Sequence, residues 1–177
     1  TAALFFGPPD KAEQWDGSSW TENAEINTDR QYTGGAGAYT AALAIGGDTD
    51  PGIVAITESW DGSSWTEIAD LGTARRQSFG SGVNTSALAS GGYTSTQVAN
   101  VEEFSTAGAT DTLINDGQAF YRSDTGDFKI SLTQYGTGAW ASGGNMNNAR
   151  EQLAGAGTQT SALAAGGAPP NSLDYTE

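Results

Sequence analysis

Few side chains in this sequence could do chemistry. The 177 residues include neither histidine nor cysteine. Imidazole-assisted nucleophiles, thiolate metal sites and disulfides are therefore out of reach. What remains is carboxylate, guanidinium, phenol and indole. Arg30, Arg75 and Arg150 recur at one phase of an internal period, so they are expected to hold carbonyls or carboxylates between neighbouring units. Asp48-Thr-Asp50-Pro-Gly52 offers two carboxylates on a glycine turn, as calcium sites do. It lacks the spacing and bidentate Glu of a calcium loop, and an ordinary acidic turn is the better reading. Tyr121, Arg122 and Lys129, with Phe120 and Phe128 beside them, form the one stretch where aromatic rings and positive charge coincide. Trp15, Trp20, Trp60, Trp65 and Trp140 could stack on sugar rings. Their fixed spacing argues instead for packing between repeats. No acid–base pair stands out, so the expectation is a non-enzymatic protein without metal or cofactor.

Seven basic residues against 21 acidic ones give a net charge of −14. Nucleic-acid binding needs clustered Lys and Arg on phosphates and is not expected. No apolar run approaches the roughly 20 residues of a membrane span, and no signal-peptide pattern is present. The chain opens on Thr1 inside a repeat, which reads as a processed product or a fragment.

The positioning elements come from the repeat. Glu58-Ser-Trp60-Asp-Gly-Ser-Ser-Trp65-Thr-Glu67 has a near copy at Glu13-Gln-Trp15-Asp-Gly-Ser-Ser-Trp20-Thr-Glu22. Each reads as a β-hairpin in which Asp-Gly supplies the turn and the two indoles flank it. Trp20 to Trp65, Arg30 to Arg75 and Gly46 to Gly91 are each 45 residues apart. Arg75 to Arg150 and Gly91 to Gly166 are 75 apart, so 30 residues interrupt the third copy. A period of this size, with four short Gly-bounded strands and no helical periodicity, describes one blade of a β-propeller. The expected units are a partial blade over 1–30, a complete blade over 31–75, a blade over 76–150 with a hairpin inserted at about 105–138, and a partial blade over 151–177. Three, four, four and three strands leave ring closure marginal, so the expectation is a fragment or an incomplete ring. The doublets Gly46-Gly47, Gly91-Gly92 and Gly166-Gly167 are expected where strands exit too tightly for side chains.

The order Arg, apolar strand with Gly-Gly, strand ending in an aromatic, then Trp (Arg75, Gly91-Gly92, Phe104, Trp140, or Arg30, Gly46-Gly47, Trp60, Trp65) resembles the Kelch repeat. The alternative Trp-Asp repeat also carries a Gly-His pair, which a chain without His cannot supply. The resemblance spans nearly the whole chain apart from the insertion, and departs in the first copy, where only Gly7 remains of the doublet. It implies an all-β propeller of four-stranded antiparallel blades. Gly155-Ala-Gly-Thr-Gln-Thr-Ser-Ala-Leu-Ala-Ala-Gly-Gly167, with the Trp hairpins, is more narrowly similar to Kelch-like repeats of tailed-phage structural proteins, especially phages of aquatic bacteria. The insertion Asp116 to Ile130 is similar to a short hairpin of phage fibre proteins. The Trp60 hairpin comes near the Asp-box of sialidases, but Gly62 follows Asp61 one residue too soon. A galactose-oxidase-like copper site has no counterpart for its Tyr–Cys and His ligands.

Topology then separates two surfaces. Loops joining second to third strands share one face of a propeller and differ most in sequence, which makes Asp48, Asp50, Tyr93, Thr94 and Asn171 the candidate binding residues. The insertion lies on the opposite face, as a docking hairpin. The reading is a tail- or fibre-associated virion structural protein whose propeller serves adhesion to host-surface glycan, or display. Its partners are other virion proteins or copies of itself. The alternative is a secreted bacterial adhesin that binds polysaccharide.

Overall fold

The computed structural model describes residues 2–7, 11–106, 119–122, 127–130 and 138–167. These residues form fifteen strands in five antiparallel sheets, with no helix among them. The first sheet contains β1 (Ala3–Gly7), β2 (Lys11–Trp15) and β3 (Trp20–Glu22). The second has β4 (Gly34–Ala38), β5 (Ala41–Asp48), β6 (Ile53–Trp60) and β7 (Trp65–Glu67), paired in that order. In the third, β8 (Phe79–Val83), β9 (Ser86–Ser90) and β10 (Val101–Ser105) are completed by β13 (Ala139–Ser142). The hairpin of β11 (Ala119–Arg122) and β12 (Asp127–Ile130) falls between β10 and β13 in sequence and forms its own two-stranded sheet. The last sheet contains β14 (Ala154–Thr158) and β15 (Ser161–Ala165). A third strand in this copy would fall beyond residue 167, outside the described residues.

The first three sheets share one row of cross-strand partners. Ala42, Trp60 and Trp65 lie opposite one another, as do Ala3, Trp15 and Trp20, and Ala87, Phe104 and Trp140. Within each row the two outer rings touch, with centroids 5.5, 5.3 and 5.2 Å apart for Trp15–Trp20, Trp60–Trp65 and Phe104–Trp140. Such tilted pairs across neighbouring antiparallel strands stabilise a hairpin beyond their area alone.

Each sheet has a leading and a trailing face, because strand side chains alternate. The leading residues Leu4 and Phe6 pack on the trailing Ala42, Ala44, Trp60 and Trp65 of the second sheet. Leu43 and Ile45, leading in that sheet, pack on Ala87, Ala89 and Phe104 of the third. At the first junction Phe6 meets Trp65 edge-on at 5.3 Å, and Trp65 Nε1 donates to the Ala24 carbonyl at 3.0 Å.

The first strands of successive copies lie against each other, and their composition permits it. A Cβ on Gly80 would stand 2.4 Å from the Gly35 carbonyl oxygen, and one on Gly155 would strike the Phe79 ring at 2.5 Å. Glycines at these positions allow β4, β8 and β14 to border one shallow cavity of about 180 Å³. The glycine doublets close a second seam. Gly47 N–H donates to the Arg75 carbonyl and Gly92 N–H to the Arg150 carbonyl, both at 2.9 Å. Gly46 and Gly91 beside them sit at φ 59° and 62°, where a side chain would be strained and would meet those same carbonyls.

Candidate functional site

The repeated charges are spent inside the molecule. Arg30, Arg75 and Arg150 are all buried. Arg30 pairs with Glu58 and donates to the Ala44 carbonyl at 3.3 Å. Arg75 repeats the pattern with Glu102 at 3.1 Å and the Ala89 carbonyl at 3.3 Å. Arg150 donates to the Gly166 carbonyl at 3.1 Å. The two carboxylates also anchor backbone, since Glu58 accepts from the Asn27 and Thr28 amides and Glu102 from the Gly72 amide. Burial is the larger influence on Arg75 and pulls its guanidinium below the usual range, while the Glu102 charge pushes back. Each pair joins the connector leaving one sheet to the third strand of the next.

Asp16 and Asp61 are equally committed. The Asp61 carboxylate accepts from the Ser63 and Ser64 amides at 2.8 Å each and from both hydroxyls, and Asp16 repeats this with Ser18 and Ser19. These bonds hold both carboxyls well below their ordinary value, at about 2. The turn is thus a capped structural device (an Asx-turn) with no free nucleophile.

A different group of residues gathers where the connectors meet the loops after the glycine doublets. Asp48 and Tyr93, both read as binding residues from sequence, are brought together there by Arg76. Its guanidinium lies between the Tyr32 and Tyr93 rings, 5.3 and 4.9 Å from their centroids, and its Nη1 pairs with Asp48 Oδ2 at 2.6 Å. The backbone fixes these positions. Residues 31 and 48 exchange amide–carbonyl bonds, as do 76 and 93, at 2.8–3.1 Å. Tyr32, Gln77 and Gln152 occupy one repeat phase and share φ of 55–57°, and Gln77 N–H reaches the Tyr32 carbonyl at 2.8 Å.

Asp50 is exposed in the adjacent loop, where Thr49 closes a turn on the Gly52 carbonyl. Thr94 is half-buried in a turn closed by its amide on the Thr96 carbonyl. Asn171 lies outside the described residues. The stack of Arg76 between two tyrosines corrects the expectation that 121–129 is the one place where aromatics and positive charge coincide. It forms because the third copy has Arg where the second has Gln31, beside tyrosines from two different copies. In the hairpin, Phe120 lies opposite Lys129, Tyr121 opposite Phe128 and Arg122 opposite Asp127; their side chains are outside the described residues. Trp60 and Trp65 are buried, whereas Trp20 is 53% exposed because no sheet packs on its trailing face.

With Asp48 engaged by Arg76, and no group of three metal-ligating side chains among the described residues, the acidic turn offers an oxygen acceptor and not an ion cage. Tyr32 is 47% exposed beside this pair. Flat aromatic surface flanked by carboxylate and guanidinium can stack on and hydrogen-bond a polyhydroxylated ring.

No family model matches the sequence, and no curated protein matches it either. Among solved structures, that of YjhT is similar, with a TM-score of 0.63 at 12% identity over 94% of this chain. The chain spans about half of that structure, 48% of its length. At this identity the likeness concerns the fold.

Proposed function

We propose that the chain is a Kelch-like β-propeller segment that acts as a non-enzymatic binding and display module of a tailed-phage virion, with host-surface glycan as its ligand. The propeller reading draws on the row-by-row sheets, the leading-on-trailing packing and the glycine-rich first strands that share one cavity. The virion reading draws on the sequence resemblance of the Gly-Ala-Gly and Trp-hairpin repeats.

One observation carries the binding reading. The recurring Arg30–Glu58 and Arg75–Glu102 pairs are buried between sheets, while side chains that differ between copies meet in the Tyr32–Arg76–Tyr93–Asp48 cluster. Variable side chains on a rigid repeat are where recognition is built. The cluster combines stacking surface with a fixed donor and acceptor, which suits a neutral or acidic sugar more than a polycation.

The test is binding of the chain to an array of bacterial surface polysaccharides, with Arg76→Met and Tyr93→Leu alongside. Selective binding lost in both variants, with unchanged circular dichroism, is the expected result. Silence across the array, or binding indifferent to both substitutions, refutes the assignment. Immunogold labelling of purified particles separates a virion component from a secreted adhesin.

A further inference from the structure

The row that carries the Arg76 stack continues past Tyr93. Tyr93 exchanges amide–carbonyl bonds with Arg76 on one side and forms a bridge to Gln97 on the other. The loop between Tyr93 and Gln97 folds back tightly, with Thr94 N–H on the Thr96 carbonyl and Val98 N–H on the Gly92 carbonyl. Residues opposite one another in antiparallel pairs send their side chains to the same face. Arg76, Tyr93 and Gln97 thus share one surface, spanning about 10 Å in two cross-strand steps. Gln97 Nε2 in turn donates to Glu151 Oε1 at 3.2 Å.

Arg76 and Glu151 hold the same place in successive repeats. Each follows a buried arginine, Arg75 or Arg150, and the residues after them are locked alike. Gln77 N–H reaches the Tyr32 carbonyl at 2.8 Å and Gln152 N–H the Gln77 carbonyl at 3.3 Å. Each also meets the loop after a glycine doublet, Arg76 at Asp48 and Glu151 at Gln97. The charge balance differs between the two places. Arg76 is neutralised by Asp48, whereas Glu151 meets an uncharged amide among the described residues. Glu151 is half-buried, and its second carboxylate oxygen lies outside the Gln97 bond.

We infer that Gln97 and Glu151 form a second subsite beside the Arg76 cluster, and that the two together take a neutral oligosaccharide of at least two residues, a step that rests on the glycan-binding reading of Arg76. One sugar ring lies on the exposed Tyr32 ring beside the Arg76–Asp48 pair, and the next crosses Tyr93 to Glu151. The Gln97 amide holds the carboxylate in place, and the carboxylate accepts sugar hydroxyls in charge-assisted bonds, stronger than neutral ones. A uronic or sulfated residue at this position sets like charges side by side, and the net charge of −14 adds to the repulsion. The ligand class is thereby narrowed from neutral or acidic sugars to neutral ones.

Isothermal titration calorimetry tests this with one- to four-unit fragments of the polysaccharide selected on the array, and with oligogalacturonates of the same lengths. The two-unit fragment is expected to bind about tenfold tighter than the one-unit fragment, the worth of one hydrogen bond to a charged group. Glu151→Ala and Gln97→Ala remove that gain, whereas Arg76→Met weakens every length. Glu151→Gln keeps the shape and raises the affinity for oligogalacturonates, an effect that a merely structural role does not produce. Circular dichroism guards against misfolding, with Gln97→Leu and Glu151→Gln read in place of an alanine variant that loses structure. A gain with length that survives both alanine substitutions, or oligogalacturonates bound as tightly as the neutral fragments, overturns the second subsite and leaves the Arg76 reading standing. Silence across the array removes both together.

Discussion

Replacing Glu58 by Gln isolates what the buried pairs contribute. Glu58 and Arg30 are both fully buried. One carboxylate oxygen accepts the Asn27 amide at 2.7 Å, and the other accepts the Thr28 amide at 3.2 Å together with Arg30 Nη1. Glutamine keeps the shape but offers one acceptor oxygen where the carboxylate had two. One backbone donor then faces an NH₂ group, and the Arg30 charge is left with only carbonyls. Breaking a buried pair by neutralising one partner costs about 3–5 kcal/mol. For a chain of this size each kcal/mol moves the melting temperature by about 2–4 °C, so a fall of roughly 6–20 °C is expected. Urea unfolding followed by the fluorescence of Trp60 and Trp65 reads the loss. The double variant Arg30→Met/Glu58→Gln, which removes both charges, must be more stable than Glu58→Gln alone. Lys11→Met serves as the contrast, since its partners Glu22 and Glu25 are exposed and its loss leaves the midpoint in place. A cost below about 1 kcal/mol for Glu58→Gln would show that the pair does not hold the sheets together.

Four further outcomes are expected. Gly46→Ala sets a Cβ 2.4 Å from the Arg75 carbonyl at φ 59° and should cost on the order of 1–3 kcal/mol or more. Gly52→Ala, with nothing within 4 Å, should be neutral or stabilising by about 0.4–1 kcal/mol in the same urea titration. The Asp61 carboxyl should titrate by NMR with a midpoint near pH 2, carrying the Ser63 and Ser64 amide shifts with it. Because its folded value is depressed from an unfolded value of about 3.9, its contribution is complete above pH 4 and is lost as pH falls towards 2. Arg76→Lys keeps the charge near Asp48 but removes the planar group between Tyr32 and Tyr93, and should lower stability by about 0.5–2 kcal/mol.

The strand order was legible because the repeat writes it four times. The 45-residue stride, the glycine doublets and the Trp hairpins each mark a strand boundary, and the longer stride from Arg75 to Arg150 located the insertion between β10 and β13. The carboxylate partners of the arginines were harder to see. Glu58 lies 28 residues after Arg30 and Glu102 only 27 after Arg75, because β5 and its following loop differ in length between copies. Aligning on the aromatic that ends the third strand recovers both, since each Glu stands two residues before it. The Arg76 stack was not legible at all, because its two rings come from separate copies and meet only when the sheets are stacked. The contrast between buried Trp65 and exposed Trp20 has the same origin. Two residues in identical local sequence differ because burial belongs to the neighbour and not to the strand.

The arginine–glutamate pairs make each repeat the keeper of the one that follows it. The arginine leaves one sheet, but the carboxylate it satisfies lies in the next, so no copy carries both halves of its own fastening. Loss of a single fastening therefore weakens one joint of the array, where the packing of Leu43 and Ile45 on Ala87, Ala89 and Phe104 is left to hold the sheets. Calorimetry on an Arg75 variant would display that weakened joint as a broader transition at lower temperature.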